Sequence, residues 1–462
     1  MISRSSILRR AFAGCGVMLH LMVTGASAGP DLDPSVVLPE KIFPILIPIL
    51  ETAARQGPQA LRARLDEQMA EEMILVARSR RLPSVGGGGT FSIAQEKRLD
   101  RPDLAAAEKL TYNFGLTQPV YHWGSLRAGH EVGKISARIA ENNYAEACRL
   151  LLIEVRGLYL RMVVARAEVE RTRNVLRLGR EDLATAESRI QSGALAPGEI
   201  HSVRFRVLDA EIGFEKAEEE FRFAKATLER LAGIAPLSES DVPSLVPNVP
   251  FDPALIASFL ESYLGRNGAE SDFRATALKL QWEQEKLNAQ ITAKNLWPKL
   301  NFVTGTTQDE VSYTGSPADR GQIRSFYAGV NLTWNLFDGF STKGYRRASL
   351  IRQRQLEGDR TARMREQIDR ARNQAKMLEL AARQTAVSES RLSQLDGLVA
   401  HQEKEVSLGN MARRDAEGWI LTRDEALLRT MVLRIEYLSR LTEFLSIIGR
   451  DPVLKQILSQ SP

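Results

Sequence analysis

Between residues 325 and 339 the chain alternates. Phe326, Ala328, Val330, Leu332, Trp334 and Leu336 fall on one face of an extended strand, and Tyr327, Gly329, Asn331, Thr333 and Asn335 on the other. An apolar face opposite a mostly polar one fits a sandwich strand with one wet side, or a membrane-barrel strand with lipid outside and water inside. Phe337-Asp338-Gly339 ends the strand. No proline follows between Pro317 and Pro452 in a stretch rich in Arg, Glu, Ala and Leu, so the strand is expected to run into a very long helix.

The same arrangement stands earlier in the chain. Leu110, Tyr112, Phe114 and Leu116 alternate with Thr111, Asn113, Gly115 and Thr117, and Tyr121-His122-Trp123-Gly124 opens a second helical run. Residues 84–95 read as the partner strand despite the run Gly86 to Gly89, because residues 300–307 form a better counterpart at the same place after Trp297-Pro298. The polar stretches 96–109 and 309–324 are expected to close the two hairpins, facing away from the helices.

Over residues 125–191, Cys148, Val155, Met162, Val169, Leu176, Leu183 and Ile190 fall seven apart, with Leu151, Leu158, Ala165, Thr172, Gly179 and Ala186 as companions. After 192–197 the pattern resumes with Ile200, Val207, Phe214, Phe221 and Leu228 against Val203, Ala210, Ala217, Ala224 and Leu231, and it stops at Gly233. This is a helical hairpin whose long leg spans roughly 100 Å at about 1.5 Å per residue. A helix over 49–81, interrupted at Gln56-Gly57-Pro58, is similar in length to the return leg, and the two stacked end to end would match the long one.

The plan is repeated. Gly193 and Gly409, Glu199 and Asp415, and Gly233 and Gly449 are each 216 apart, while Pro83 and Pro298, and Gly124 and Gly339, are 215 apart. The expected organisation is a leader over 1–28, a first repeat over 29–233 (hairpin 84–120, helical tip near 192–199), a linker over 234–252, a second repeat over 253–449 (hairpin 299–337, tip near 407–415) and a tail over 450–462.

Composition changes this picture little. Aromatic residues make up 6% of the 462, which suits long packed helices better than compact globules. Arg4, Arg9 and Arg10, an apolar stretch over 16–23 and Ala26-Ser27-Ala28 read as a secretory signal. Only Ala11 separates Arg10 from the lipoprotein-like box at Cys15, too little for an apolar segment, so a lipid anchor is not expected. The formal charge of +5 includes those three arginines, and the +2 left without them indicates no nucleic-acid partner. Cys148 would be the single cysteine after cleavage, so no internal disulfide can form.

Four strands of about ten residues fall short of the roughly eight that the smallest closed membrane barrel needs, so strands that span a membrane require oligomerisation. Taken together, Trp297-Pro298-Lys299-Leu300, the run 332–339 (LTWNLFDG), and Gly409 with Asp415, echoed by Leu82-Pro83, Gly124, and Gly193 with Glu199, resemble the TolC-like outer-membrane factor (outer membrane efflux protein) family over nearly the whole mature chain. The resemblance implies a mostly α fold with a transmembrane β-barrel portion. In it a homotrimer shares a twelve-stranded barrel in outer-membrane lipid, continuous with a helical tunnel in the periplasm of a Gram-negative bacterium. It also implies passive conduction in a tripartite efflux pump or type I secretion system, with an inner-membrane transporter and a periplasmic adaptor (membrane fusion protein) docking near the helical tips. The rival reading is a coiled-coil scaffold of the cell envelope whose strands form a soluble sandwich.

At the tips, Gly193 and Gly409 can end a helix in the left-handed conformation, and Glu199 and Asp415 suit the start of the returning helix. That accounts for these four residues as turn chemistry alone. On the functional reading, Leu195, Ala196 and Met411 add a small apolar knuckle for an adaptor. Pro197-Gly198 departs from the Ser or Thr the family often carries there. Glu403 and Glu405 lie near the second tip, where a charge run is more often simply solvated, and no gate is assigned. Trp123, Gly124, Phe337, Asp338 and Gly339 mark the strand–helix junctions.

Enzyme chemistry finds no footing. The run Gly129 to Ser136 resembles a phosphate loop, yet Ala128 stands at the first glycine's place and Ile135 where Ser or Thr should follow Lys134, inside an expected helix. His122, His130, His201 and His401 lack metal-site spacing, so no metal or cofactor is expected. Beside Tyr121 and Trp123, His122 reads as part of an aromatic girdle at a membrane interface.

Overall fold

A computed structural model describes residues 36–94, 107–196, 198–312 and 320–460. The expected leader with Cys15, the centres of both hairpin loops and Pro197 lie outside the described residues. The elements run α1 (Pro39–Ile42), α2 (Leu46–Gln56), α3 (Pro58–Ser79), β1 (Ser84–Ala94), β2 (Ala107–Tyr121), α4 (Ser125–Gln191) and α5 (Ile200–Ala232), then α6 (Pro253–Gly265), α7 (Phe273–Ala293), β3 (Lys299–Ser312), β4 (Arg320–Thr333), α8 (Ser341–Ser407), α9 (Arg413–Ile447) and α10 (Pro452–Gln460). The two long helices, α4 and α8, have 67 residues each.

Residues 37–462 form one unit. Its helices lie side by side in an order that changes along α4 and α8. Towards the strands the neighbours are α3, α4, α7 and α8; towards the tips α5 replaces α3 beside α4, and α9 replaces α7 between α4 and α8. The handover from α3 to α5 is tight. A Cβ on Gly57 would meet the Leu231 carbonyl oxygen at 3.1 Å, and one on Gly233 would meet that of Gln56 at 3.0 Å, so glycine lets these ends abut.

The heptad seam of α4 is its core. Cys148, Leu151, Val155 and Met162 are fully buried, whereas Leu183 and Ile190 nearer the tip are half-buried. Small companions at Gly179 and Ala210 leave a space of about 240 Å³ between α4, α5 and α9. Ion pairs one turn apart, such as Arg171 with Glu168 at 2.6 Å and Arg383 with Glu379 at 2.6 Å, cover the wet faces.

Midway along α4, Arg156 is 1% exposed and binds two carboxylates from distant parts of the chain. Its Nε donates to Glu40 Oε1 at 2.6 Å, and its Nη1 and Nη2 donate to Asp451 at 2.5 and 3.0 Å. Burial pulls the guanidinium's proton affinity down, but the two carboxylates outweigh it and hold its pKa above the ordinary arginine value. The group ties α1 and the start of α10 to α4. A second polar anchor is Asp272, which caps α7 through Ala275 N–H at 3.1 Å and accepts from Arg363 Nε at 3.0 Å and Gln367 Nε2 at 2.6 Å.

The strands form one antiparallel sheet in the order β1-β2-β3-β4, with β1 and β4 as open edges. Two expectations need correcting. The hairpin loops are shorter than 96–109 and 309–324, because polar residues continue as strand where they find partners: Lys109 pairs with Asp309 at 3.1 Å, and Arg324 Nε donates to Gln308 Oε1 at 2.8 Å. In the other direction β4 stops at Thr333, although the alternation runs on through Trp334 and Leu336. Thr333 is opposite Lys299, the first residue of β3, and Pro298 before it has no N–H to continue the ladder.

Candidate functional surfaces: sheet faces, strand–helix junctions and tips

The register sorts the sheet into two faces. Val85, Gly87, Gly89 and Phe91 of β1 align with Leu116, Phe114, Tyr112 and Leu110 of β2, and the same face continues through Leu300, Phe302, Thr304 and Thr306 of β3 and Leu332, Val330, Ala328 and Phe326 of β4. Glu108 opposite Ile93 and Gln308 opposite Arg324 make it polar at the loop end, and Gln118 opposite Phe302 adds one polar position at the helix end. This face is apolar and open: Phe326 is 83% exposed and Val85 75%. The opposite face carries Thr90, Ser92, Lys109, Thr111, Asn113, Thr117, Asn301, Thr307, Tyr327, Asn331 and Thr333. A sheet with an exposed apolar face and a polar reverse suits lipid on one side and water on the other. Its two unpaired edges leave rows of backbone N–H and C=O groups that need partners in such a setting.

Two consecutive left-handed residues turn each strand pair into its long helix. Trp123 (φ 55°) and Gly124 (φ 78°) precede α4, and Gly339 (φ 62°) and Phe340 (φ 66°) precede α8. A left-handed non-glycine residue costs about 1–2 kcal/mol, so both aromatics must be held. Trp123 donates through Nε1 to the Pro298 carbonyl at 2.7 Å and packs edge-on against Trp297, ring centres 4.6 Å apart; Lys294 Nζ donates to its carbonyl oxygen. Phe340 packs edge-on against Phe337 at 5.4 Å. Asp338 Oδ2 accepts from the Thr342 N–H at 2.8 Å and so caps α8. Hydrogen bonds from Thr342, side chain and backbone, hold the Asp338 carboxyl below the usual aspartate range. His122 Nε2 pairs with Asn301 Oδ1 at 2.9 Å across the junction. Pattern reading missed Phe340, since only a backbone angle singles it out.

Both tips end in the same hydrogen-bonded cap. Gly193 has φ 70°, with its N–H on the Ile190 carbonyl at 3.0 Å and the Ala194 N–H on that of Arg189 at 2.8 Å. Gly409 has φ 77°, with the Gly409 N–H on Val406 at 3.1 Å and the Asn410 N–H on Glu405 at 3.0 Å. This double bond pattern around a left-handed glycine satisfies carbonyls the helix end leaves free. Leu195 and Met411 are half-buried, Ala196 and Glu199 exposed. Glu199 precedes the first residue of α5 and its side chain makes no capping bond, while Asp415 lies in the first turn of α9. Asn410 Nδ2 donates to Glu405 at 3.0 Å, which gives that carboxylate a local role.

Among the described residues no group of three or more His, Cys, Asp or Glu is placed to hold a metal, and no helix is long and apolar enough to cross a membrane. Cys148 is buried, and desolvation pushes its thiol pKa up, away from reactivity.

Residues 49–234 match the outer membrane efflux protein family. The fold is also that of solved outer-membrane channels. The Campylobacter jejuni CmeC outer membrane channel superposes with a TM-score of 0.68 at 12% identity, over 89% of this chain and 88% of CmeC. The Vibrio cholerae outer membrane protein VceC gives 0.62 at 15% identity, over 88% and 96% of the two chains. The Neisseria gonorrhoeae MtrE channel, solved in an open state, gives 0.63 at 15%, over 88% and 90%. No curated protein sequence matches. The resemblance to the TolC-like outer-membrane factors thus holds in sequence over 49–234 and in fold over most of the chain.

Proposed function

We propose that this chain, which shares its fold with outer-membrane channels and matches the outer membrane efflux protein family over residues 49–234, is the outer-membrane conduit of a tripartite efflux or type I secretion system. The observation that carries the reading is the sheet: one face apolar and exposed, the other polar, both edges open, and too few strands to close alone. Three copies would supply twelve strands, with the polar face lining water and the apolar face meeting lipid. The helices continue the wall into the periplasm. Conduction is passive, with energy supplied by an inner-membrane transporter through a periplasmic adaptor at the tips, where Leu195, Ala196 and Met411 offer apolar contact.

The helical edges support the same assembly. α5 exposes Phe205, Leu208 and Ile212, and α8 exposes Leu380 and Val387; the first set lies at one edge of the helical layer and the second at the other. Within the chain, α4 meets α9 where Arg171, held charged first by Glu168, also feels Glu425 and Asp424 across the seam. Moving each residue to its repeat equivalent, 216 positions on for α4 and 216 back for α9, puts Val387 of α8 opposite Leu208 of α5 in the next copy. They are 72% and 53% exposed in the single chain, so an apolar pair is left waiting where the internal seam has charges.

The test is the mass of the purified protein in detergent together with its conductance in a planar bilayer. The reading expects a trimer with small, flickering conductance that rises when the Gly193 or Gly409 turns are loosened. A monomer that never inserts would overturn it in favour of an envelope scaffold.

A further inference from the structure

One row across the polar face of the sheet is bare. Gly86 of β1 is opposite Gly115 of β2, Gly115 is opposite Gly305 of β3, and Gly305 is opposite Tyr327 of β4. The Tyr327 side chain lies back over this row instead of standing away from it. A Cβ on Gly305 would meet Tyr327 Oη at 2.7 Å and Cζ at 2.9 Å, and a Cβ on Gly115, one strand further, would meet Oη at 3.2 Å. Strands stand about 4.8 Å apart, so the phenol spans the neighbouring strand and reaches the next. Side chains on a sheet ordinarily project away from it, and only a floor without Cβ atoms lets a ring lie this close. Gly86, at the far end, has nothing within 4 Å of its Cβ position.

We propose that the Gly115–Gly305 floor and Tyr327 together set the bore of the barrel at this level: the glycines hold the ring flat against the wall, and any side chain beneath it would push the phenol into the lumen as a constriction. Tyr327 is then a size-determining residue for cargo, repeated once per copy around the ring. The inference rests on the barrel reading, because only there does the polar face line a lumen.

Access from the outside tests it without depending on whether the tips are open. Thr117 is exposed on the same face, two residues from Gly115 on the helix side. In the full-length oligomer, Thr117→Cys is labelled with a small methanethiosulfonate and with a bulky maleimide, against Cys148, which is buried. Gly305→Ala is avoided, since its Cβ would strike the Phe114 carbonyl oxygen at 2.3 Å and disturb the sheet itself. Gly115→Ala presses on the phenol end at 3.2 Å and otherwise makes an ordinary contact with the Thr304 carbonyl oxygen at 3.8 Å. It is expected to slow the bulky reagent several-fold relative to the small one, Gly86→Ala to leave both rates unchanged, and Tyr327→Ala combined with Gly115→Ala to restore the bulky rate. Equal labelling in Gly115→Ala and its parent, or slowing that persists without the Tyr327 ring, would overturn the bore-setting role. The barrel reading is tested separately by the detergent mass and the bilayer conductance: a monomer that never inserts overturns that reading and this inference with it, whereas a conducting trimer that labels equally in every background overturns the bore-setting role alone.

Discussion

α4 and α8 have the same length, occupy the same place in the two repeats and end in the same cap, yet they live differently. α4 lies between neighbours on both sides and buries Leu151, Leu152, Val155, Leu160, Met162 and Val163 completely. α8 lies at the edge; Ala371 and Leu378 are fully buried, while Tyr345, Leu350, Ile351 and Val387 are more than half exposed. The repeat makes the two helices alike, and the layer's edge makes them different. On the proposed assembly, the free side of α8, like the free sides of α5, β1 and β4, meets a further copy.

The largest effect expected from breaking this contrast is at the centre. Arg156→Met would leave Glu40 and Asp451 buried without their counter-charge and should cost about 3–5 kcal/mol, read as a large drop in the melting temperature of the detergent-solubilised protein. On α8, Arg383→Ala removes an ion pair whose arginine is 70% exposed and should change the melt hardly at all, by less than about 0.5 kcal/mol. Equal shifts would contradict the division into centre and edge.

Next is a pair on α8 itself. Leu378→Ala opens a cavity at a fully buried site and should cost about 2–5 kcal/mol in the chain's own stability. Val387→Asp, on the free side, should leave secondary structure by circular dichroism intact and shift the detergent mass from trimer towards monomer. At the tips, Gly193→Ala and Gly409→Ala each force a side chain into a left-handed turn at about 1 kcal/mol, and similar losses by calorimetry would show that the two caps are equivalent.

The smallest effect concerns pH at the junctions. The Asp338 carboxyl is held below its ordinary value, so its contribution is present above the unfolded aspartate pKa and is lost as pH falls through the lowered folded one. The α8 junction should therefore loosen in acid, seen as a loss of amide-exchange protection at Thr342 relative to the intrinsic rate at each pH, and Asp338→Asn should remove that pH dependence. The α4 junction, which carries Trp123 where the repeat places Asp338, should show no matching step.

Much of the architecture was legible in the chain's pattern because it rests on local periodicity: alternation for the sheet, heptads for α4 and α5, and glycines at fixed offsets for the helix ends. The fold class and the family resemblance follow from these. Strand ends were less legible, since β4 stops where its partner's ladder begins at Lys299, a fact of pairing and not of the residues Trp334 to Leu336. Lateral order was not legible at all. The heptads say that α4 and α8 need neighbours without saying which has two. The Arg156 cluster joins residues 116 and 295 positions away, and the glycine row depends on the register of β2 against β3, so neither leaves a local signature. At the tips, the caps follow from glycine chemistry, whereas the proposed docking depends on a partner's surface that this chain does not encode.

The most direct test of the central claim, that the free edges close on a further copy, is cysteine cross-linking in the membrane. Leu208→Cys with Val387→Cys should give covalent multimers up to the trimer, while Arg171→Cys with Asp424→Cys, the equivalent internal pair, should cross-link within a single chain. An internal cross-link without any between copies would contradict the account and leave these edges free.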